Sequence, residues 1–204
     1  MSPVADELPA GRVKWIDGFL GASECTFICE ELDFAFWRPS RVVSRDFNDE
    51  LVYFRSPQRT SQSTDQQWFS AELDELVESM ERRACDLLGI NQLTLERWQA
   101  VRYRNRGRFR LHHDAGLFAS DPEGERVVTM LLYLQTPLEG GATVFPDLGI
   151  RVPAAAGRLV AWNNLRDDGT VDPAMRHAAQ PVRRGGKTVL TTWSRQHPVR
   201  KEIA

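Results

Sequence analysis

The sequence predicts helices packed against a mostly antiparallel β-sandwich, and three observations carry that prediction. Phe69, Leu73, Leu76, Val77, Met80, Ala84, Leu87 and Leu88 recur at spacings of three and four, which marks one face of a helix. From Leu95 onward, short apolar segments alternate with clusters of Gly, Pro, Asn and Asp roughly every ten residues, the rhythm of a sandwich or barrel. The connections between those segments are too short to hold crossover helices, so neighbouring strands should run antiparallel. With 204 residues, 42% of them hydrophobic and 26% charged, the chain has enough apolar material for one core. No linker or repeat divides it, and we expect a single domain over 1–204.

Taken in order, Val13 to Phe19 reads as a strand and Ser23 to Phe36 as a helix. In that helix Cys25, Ile28, Cys29, Leu32 and Phe36 fall at helical spacing. Leu51 to Phe54 is a short apolar strand. The polar stretches Arg38 to Glu50 and Arg55 to Gln66 read as long mobile loops, of the kind that often carries function. Ser63, Thr64 or Asp65 can cap the main helix and Gly89 can end it. The remaining strands are expected at Arg97 to Tyr103, Phe109 to His112, Arg126 to Gln135, Ala142 to Phe145, Gly157 to Trp162, His177 to Val182 and Lys187 to Trp193.

Several classes of function fall away on composition. A net charge of −2 and a pI near 6.1 give no electrostatic case for nucleic acid or an anionic membrane. Five arginines do lie between Arg102 and Arg110. They lack an interleaved aromatic series and read as a solvated strand face and loop. No apolar run is long enough to span a membrane. Met1 to Pro9 is acidic and lacks the pattern of a signal peptide. An odd count of three cysteines argues against a disulfide scaffold and for a reducing, cytoplasmic setting. Cys25 and Cys29 are four apart, but no further ligand is near them, so they read as a buried helix face.

The chemistry concentrates around the histidines. Side chains alternate along a strand, so His112 and Asp114 share a face while His113 points the other way. A third histidine on a facing strand would complete two histidines and one carboxylate, the facial triad of non-haem Fe(II) oxygenases. His177 is the well-placed candidate, because His197 lies in a polar tail beside Pro198. Lys187 opens an apolar strand ten residues after His177. In a flat hairpin about Arg184–Gly185 the two would stand about 17 Å apart, too far to share a small ligand. On facing sheets about 10 Å apart, a long lysine could reach a ligand held at the metal.

At this point the sequence resembles the prolyl 4-hydroxylase-type 2-oxoglutarate/Fe(II) dioxygenases. Val101 to Asp114 looks like their first metal motif, Arg126 to Leu134 like the next strand, and Gly140-Gly-Ala-Thr-Val-Phe-Pro146 like their Gly-Gly turn and strand. Asp168-Gly-Thr, Asp172-Pro173, His177 to Val182 and Gly186 to Trp193 follow in the same order, and Arg59-Thr60-Ser61 looks like an upstream element. The resemblance covers roughly Leu95 to Pro198. It implies a double-stranded β-helix, a cupin-like jelly-roll, over 95–198, with 1–94 giving helical support to one sheet and lid loops. His112, Asp114 and His177 would ligate Fe(II) and act in catalysis. Lys187 would bind the distal carboxylate of 2-oxoglutarate, bordered by Tyr103, Tyr133 and Thr143; both tyrosines serve equally well as sheet packing. O2 would be the co-oxidant and ascorbate a candidate reductant.

Arg59, Phe109, Arg126, Trp193 and Arg195 are the expected substrate residues. Phe109 stands where many peptidyl-proline hydroxylases resemble one another in carrying Tyr, and Arg195 where some carry His; Gly107-Arg108 replaces a common Gly-Gln. The resemblance favours hydroxylation of a proline or proline-like residue in a peptide or protein. These departures favour a free amino acid or other small metabolite. A metal-binding sandwich without activity is the third reading.

Overall fold

The computed structural model describes Ala5–Glu7 and residues 12–201, so most of the acidic Met1 to Pro9 segment lies outside the described residues. The strands, in chain order, are β1 (Ala5–Glu7), β2 (Val13–Ile16), β3 (Arg38–Pro39), β4 (Val42–Arg45), β5 (Leu51–Phe54), β6 (Gln62–Asp65), β7 (Gln99–Tyr103) and β8 (Phe109–His112). There follow β9 (Arg126–Tyr133), β10 (Glu139–Gly140), β11 (Thr143–Phe145), β12 (Ile150–Val152), β13 (Leu159–Asn163), β14 (His177–Ala179), β15 (Val182–Arg184) and β16 (Lys187–Arg195). Two α-helices, α1 (Ala22–Asp33) and α2 (Ala71–Leu88), precede β7.

An eight-stranded sheet runs β1-β2-β13-β9-β16-β7-β6-β3, and a four-stranded sheet β12-β11-β14-β8 lies against it. Strand pairing is antiparallel throughout the described residues. This is the jelly-roll expected from the sequence.

Alternation along the strands of the large sheet creates two cores. Ala100, Met130, Leu132, Leu159, Ala161 and Leu190 face the helices, where they meet Ile28 and Leu32 of α1 and Leu73, Val77 and Met80 of α2. The intervening residues Val101, Tyr103, Tyr133, Val160, Trp162 and Val189 face the small sheet together with Phe145, Val152 and Met175. The functional groups grow from this second face. No described helix is long and apolar enough to cross a membrane.

Several local expectations need correction. The segments expected as mobile loops contain β3, β4 and β6; β4 pairs with β5, the strand expected at Leu51 to Phe54, and β6 pairs with β7 inside the large sheet. Their polarity misled because one face of this hairpin and of this edge meets solvent, where strands carry polar residues freely. Consequently α2 is not capped by Ser63, Thr64 or Asp65; Ser70 does so, its Oγ accepting from Leu73 N at 3.2 Å. Gly89 ends α2 as expected, in the left-handed region at φ 67°. The first helix stops at Asp33, leaving Phe36 60% exposed rather than on the buried stripe. His177 to Val182 is two strands, broken at Gln180-Pro181, because proline supplies no N–H to a ladder.

Candidate active site

His112 ends β8 and His177 opens β14, and the two strands pair with His177 opposite His112. Asp114 follows two residues after His112 and returns to the same face. The Asp114 carboxylate stands 3.6 Å from His112 Nε2 and 3.4 Å from His177 Nε2. One ligand atom from each of the three residues lies within 4.8 Å of the others. His113 is turned away, its Nε2 3.4 Å from the carbonyl of Pro173.

Both ligand imidazoles are set for metal binding by the backbone. His112 Nδ1 lies 2.8 Å from Arg110 O and His177 Nδ1 lies 3.1 Å from Met175 O. A carbonyl only accepts, so each Nδ1 carries the proton and each Nε2 turns a lone pair towards Asp114. Burial pushes His177 down to about 4, so it is neutral at pH 7. Burial also opposes ionisation of Asp114, but His177 and His112 outweigh it and hold the carboxyl well below its usual range. Two neutral imidazoles and one carboxylate fit a divalent transition metal, with coordination positions left for other ligands.

A relay that sequence reading did not find supports Asp114. Asn164 Nδ2 donates to Thr129 Oγ1 at 2.9 Å, and Thr129 Oγ1 lies 2.8 Å from Asp114 Oδ2. Because the amide is a donor, the hydroxyl proton is directed at the carboxylate. Asn164 O also accepts from Asp172 N at 2.9 Å, tying in the turn that carries Met175 O and hence His177. Nothing in the spacing of Thr129 and Asn164 signals this; only the alignment of β9 with the end of β13 brings them together.

Lys187 opens β16 on the face that looks across to the small sheet, and it is 1% exposed. Its Nζ donates to Gly141 O at 2.9 Å and lies 4.5 Å from the ring centre of Tyr103 and 5.6 Å from that of Tyr133. No carboxylate of the described residues is within 4.0 Å of it. Such a cation is costly to bury without an anion, and burial pushes it down to about 7. Tyr133 Oη and Thr143 Oγ1 are 2.6 Å apart. Burial pushes Tyr133 up to about 12 and raises Tyr103 as well, so both phenols keep their protons. Gly141, at φ 74°, makes this proximity feasible: a Cβ there would meet Pro137 at 2.9 Å and the Lys187 stem at 3.4 Å.

A cavity lies at the triad; Lys187 and Tyr133 do not line it but touch Tyr103 and Thr143, which do. It is lined by Arg59, Tyr103, Phe109, His112, Asp114, Thr129, Leu131, Thr143, Trp162, His177, Val189, Thr191 and Trp193 among others. Phe109 stacks on His112 at 3.6 Å between centroids, and the Arg59 guanidinium sits 4.9 Å above the Phe109 ring. The indole N–H groups of Trp162 and Trp193 are buried without a partner among the described residues. Arg126 and Arg195, expected at the substrate, do not line this cavity. Arg126 is bidentate to Glu96 and stacked on Trp193 at 3.8 Å, while Arg195 is held by Glu96, Asp121 and Gly124 O. Their charges are spent on acids that lie far from them in sequence.

Comparison with known proteins agrees with this geometry. Residues 98–195 match the 2OG-Fe(II) oxygenase superfamily. Prolyl 4-hydroxylase subunit alpha-2 of Caenorhabditis elegans is 36% identical over 132 residues, covering 62% of this chain and 24% of that protein. Human prolyl 4-hydroxylase subunit alpha-1 is 36% identical over 135 residues, covering 62% and 25%. The chain thus spans about a quarter of the length of these curated relatives. Among solved structures, the viral collagen prolyl hydroxylase of Paramecium Bursaria Chlorella virus-1 in complex with 2OG superposes with a TM-score of 0.69 at 21% identity, over 91% of this chain and 97% of that one. A Pseudomonas putida prolyl-4-hydroxylase gives 0.62 at 22% identity, over 91% and 92%.

The fold and the triad are those of a 2OG-Fe(II) oxygenase, the superfamily that residues 98–195 match. Over 132 residues the chain is prolyl 4-hydroxylase-like, at 36% identity. His112, Asp114 and His177 would hold Fe(II), and the cosubstrate is 2-oxoglutarate. When bound, the pair supplies oxidative decarboxylation coupled to C–H hydroxylation: one oxygen atom of O2 enters the product alcohol, the other enters succinate, and CO2 leaves.

Proposed function

We propose that this protein hydroxylates an unactivated C–H bond of a proline or proline-like residue within a peptide or protein. The observation that carries the reading is the shape of the cavity. Leu131, Trp162, Val189 and Trp193 give the triad an apolar wall suited to a compact aliphatic ring, and Arg59 stands where the cavity opens outward. The unpartnered indole N–H of Trp193 offers a donor to a backbone carbonyl of the substrate. Tyr103 and Thr143 line the cavity and Lys187 stands against Tyr103; in this reading the three would orient 2-oxoglutarate with its keto-acid end towards the triad. The names of the similar proteins, prolyl 4-hydroxylase subunits and a collagen prolyl hydroxylase, support the same substrate class.

Hydroxylation of a free amino acid is the second reading, favoured by Phe109, which offers no hydroxyl to a peptide. Against it, Arg126 and Arg195 are already neutralised by Glu96 and Asp121 and give a free α-carboxylate no cation. A cytoplasmic setting belongs to the same proposal, consistent with three free cysteines. Mass spectrometry of proline-containing peptides and free cyclic amino acids, incubated with Fe(II) and 2-oxoglutarate, tests the choice. A gain of one oxygen on a peptidyl proline, matched by succinate, is the expected result; oxidation of free amino acids alone would refute it.

A further inference from the structure

We infer that the groove outside the active-site cavity is a track for an extended polypeptide carrying acidic side chains beside the residue to be hydroxylated. This rests on the hydroxylase reading above and specifies its substrate class. The groove, about 350 Å3, is lined by Pro39, Ser40, Arg55, Ser56, Pro57, Arg59, Thr60 and Ser61. Arg59 lines this groove and the cavity of the triad alike, so a molecule occupying both is longer than one amino acid.

Five arginines meet here. Arg55 and Arg59 line the groove. Arg41 is brought alongside by its carbonyl, which accepts from Arg59 Nη1 at 3.1 Å. Arg110 lies on β8 and Arg108 just before it, next to the groove segment through their backbones: Thr60 N donates to Arg108 O at 2.8 Å, and Arg110 N to Gln58 O at 2.8 Å. None of the five has a described carboxylate within 4.0 Å; other arginines of the described residues also lack one, but Arg55 and Arg59 are the arginines that line the groove. The nearby acids are committed or remote: Asp65 pairs with Arg38, and Asp46, Asp49 and Glu50 sit at the far turn of the β4–β5 hairpin. Unpaired positive charge therefore borders this groove in a chain of net charge −2, and it attracts and orients an acidic partner.

Binding of labelled peptides to the protein loaded with Mn(II) and 2-oxoglutarate, which prevents turnover, tests the track. The peptides share a central proline flanked by Glu, Gln or Lys. Glu-flanked peptides are expected to bind about tenfold tighter than Gln-flanked ones, the sum of a few exposed ion pairs, and Lys-flanked ones weakest. The order should collapse at about 1 M salt, where screening reaches roughly 3 Å. The double variant Arg41→Ala/Arg55→Ala should lose the discrimination while its affinity for 2-oxoglutarate is unchanged. Equal binding of Glu- and Lys-flanked peptides, or discrimination that survives in the double variant, overturns the inference. Turnover with Fe(II) in air separates the two levels. Selective binding of acidic peptides whose proline is never oxidised leaves the track standing and removes the prolyl reading. Oxidation that ignores the flanks does the reverse.

Discussion

Lys187 has no charge partner among the described residues, and that makes it a pH-sensitive handle on the cosubstrate. Burial holds it down to about 7, so near neutrality it is half protonated. The protonated amine is the form that attracts a carboxylate; it is fully present below pH 7 and lost as pH rises through that value. Binding 2-oxoglutarate should raise the amine and take up a proton. Affinity is expected to fall by up to about tenfold per pH unit above 7, as read by calorimetry; a dissociation constant flat across this range would refute the assignment. Lys187→Ala should weaken 2-oxoglutarate about ten- to a hundredfold and abolish that slope, with metal binding unchanged. Thr129 makes a separate test. Thr129→Val keeps the shape but removes the hydroxyl that reaches Asp114 Oδ2, and loss of such a supporting contact typically costs about 10–100-fold in metal affinity. Mn(II) titration without cosubstrate should show that loss, and Thr129→Ser should restore it; wild-type affinity in Thr129→Val would remove the relay from the site. His113→Ala, by contrast, should bind Mn(II) normally.

At the scale of elements, the stretch that sequence polarity marks as a flap divides into two parts of different stability. β6 is locked between β3 and β7, and Ser63 and Thr64 are buried. The β4–β5 hairpin buries none of its residues fully and two strands alone are marginal in water. One side chain secures it: Arg45 donates to Leu117 O at 2.6 Å and to Asp121 Oδ1 at 2.8 Å. Asp121 in turn binds Arg195 of β16 at 3.0 Å, so the hairpin is tied to the strand that carries Trp193. Arg45→Ala should accelerate amide exchange across 42–54 about tenfold or more, the equivalent of one or two charged hydrogen bonds, and leave β6 protected. Equal protection in variant and wild type would show that the hairpin is held by other means.

For the molecule as a whole, the C-terminal segment closes the helix-facing core. Arg200 forms a bidentate pair with Glu81 at 2.6 and 3.0 Å and also donates to Glu96 O at 3.0 Å. Glu81 is 1% exposed and accepts from Trp98 Nε1 and Gln92 Nε2 as well. Removing the cation from a buried carboxylate costs about 3–5 kcal/mol; the two other donors place Arg200→Ala at the lower end. At about 2–4 °C per kcal/mol for a chain of this size, its Tm should fall by about 6–12 °C. Thermal unfolding measures this, and a change within 2 °C, about 1 kcal/mol, would show that the neighbouring amide and indole suffice.

Local periodicity determined a good deal by itself. The stripe from Leu73 to Ala84 could only be a buried helix face, and alternation alone placed His112 with Asp114 and turned His113 away. Tertiary structure decided the rest, because the remaining contacts join residues far apart in the chain. The pairing of β8 with β14 sets His177 beside Asp114, and the division of β14 and β16 between facing sheets puts Lys187 behind Tyr103, which lines the same cavity as His177. Polar strands such as β6 carry the composition of loops, and only pairing with β3 and β7 distinguishes them. Arg126, Arg195 and Arg59 are one residue type in the sequence. Two face Glu96 and are neutralised, and the third faces the cavity without a carboxylate, because side-chain charge is local to the residue whereas its partner is supplied by the fold.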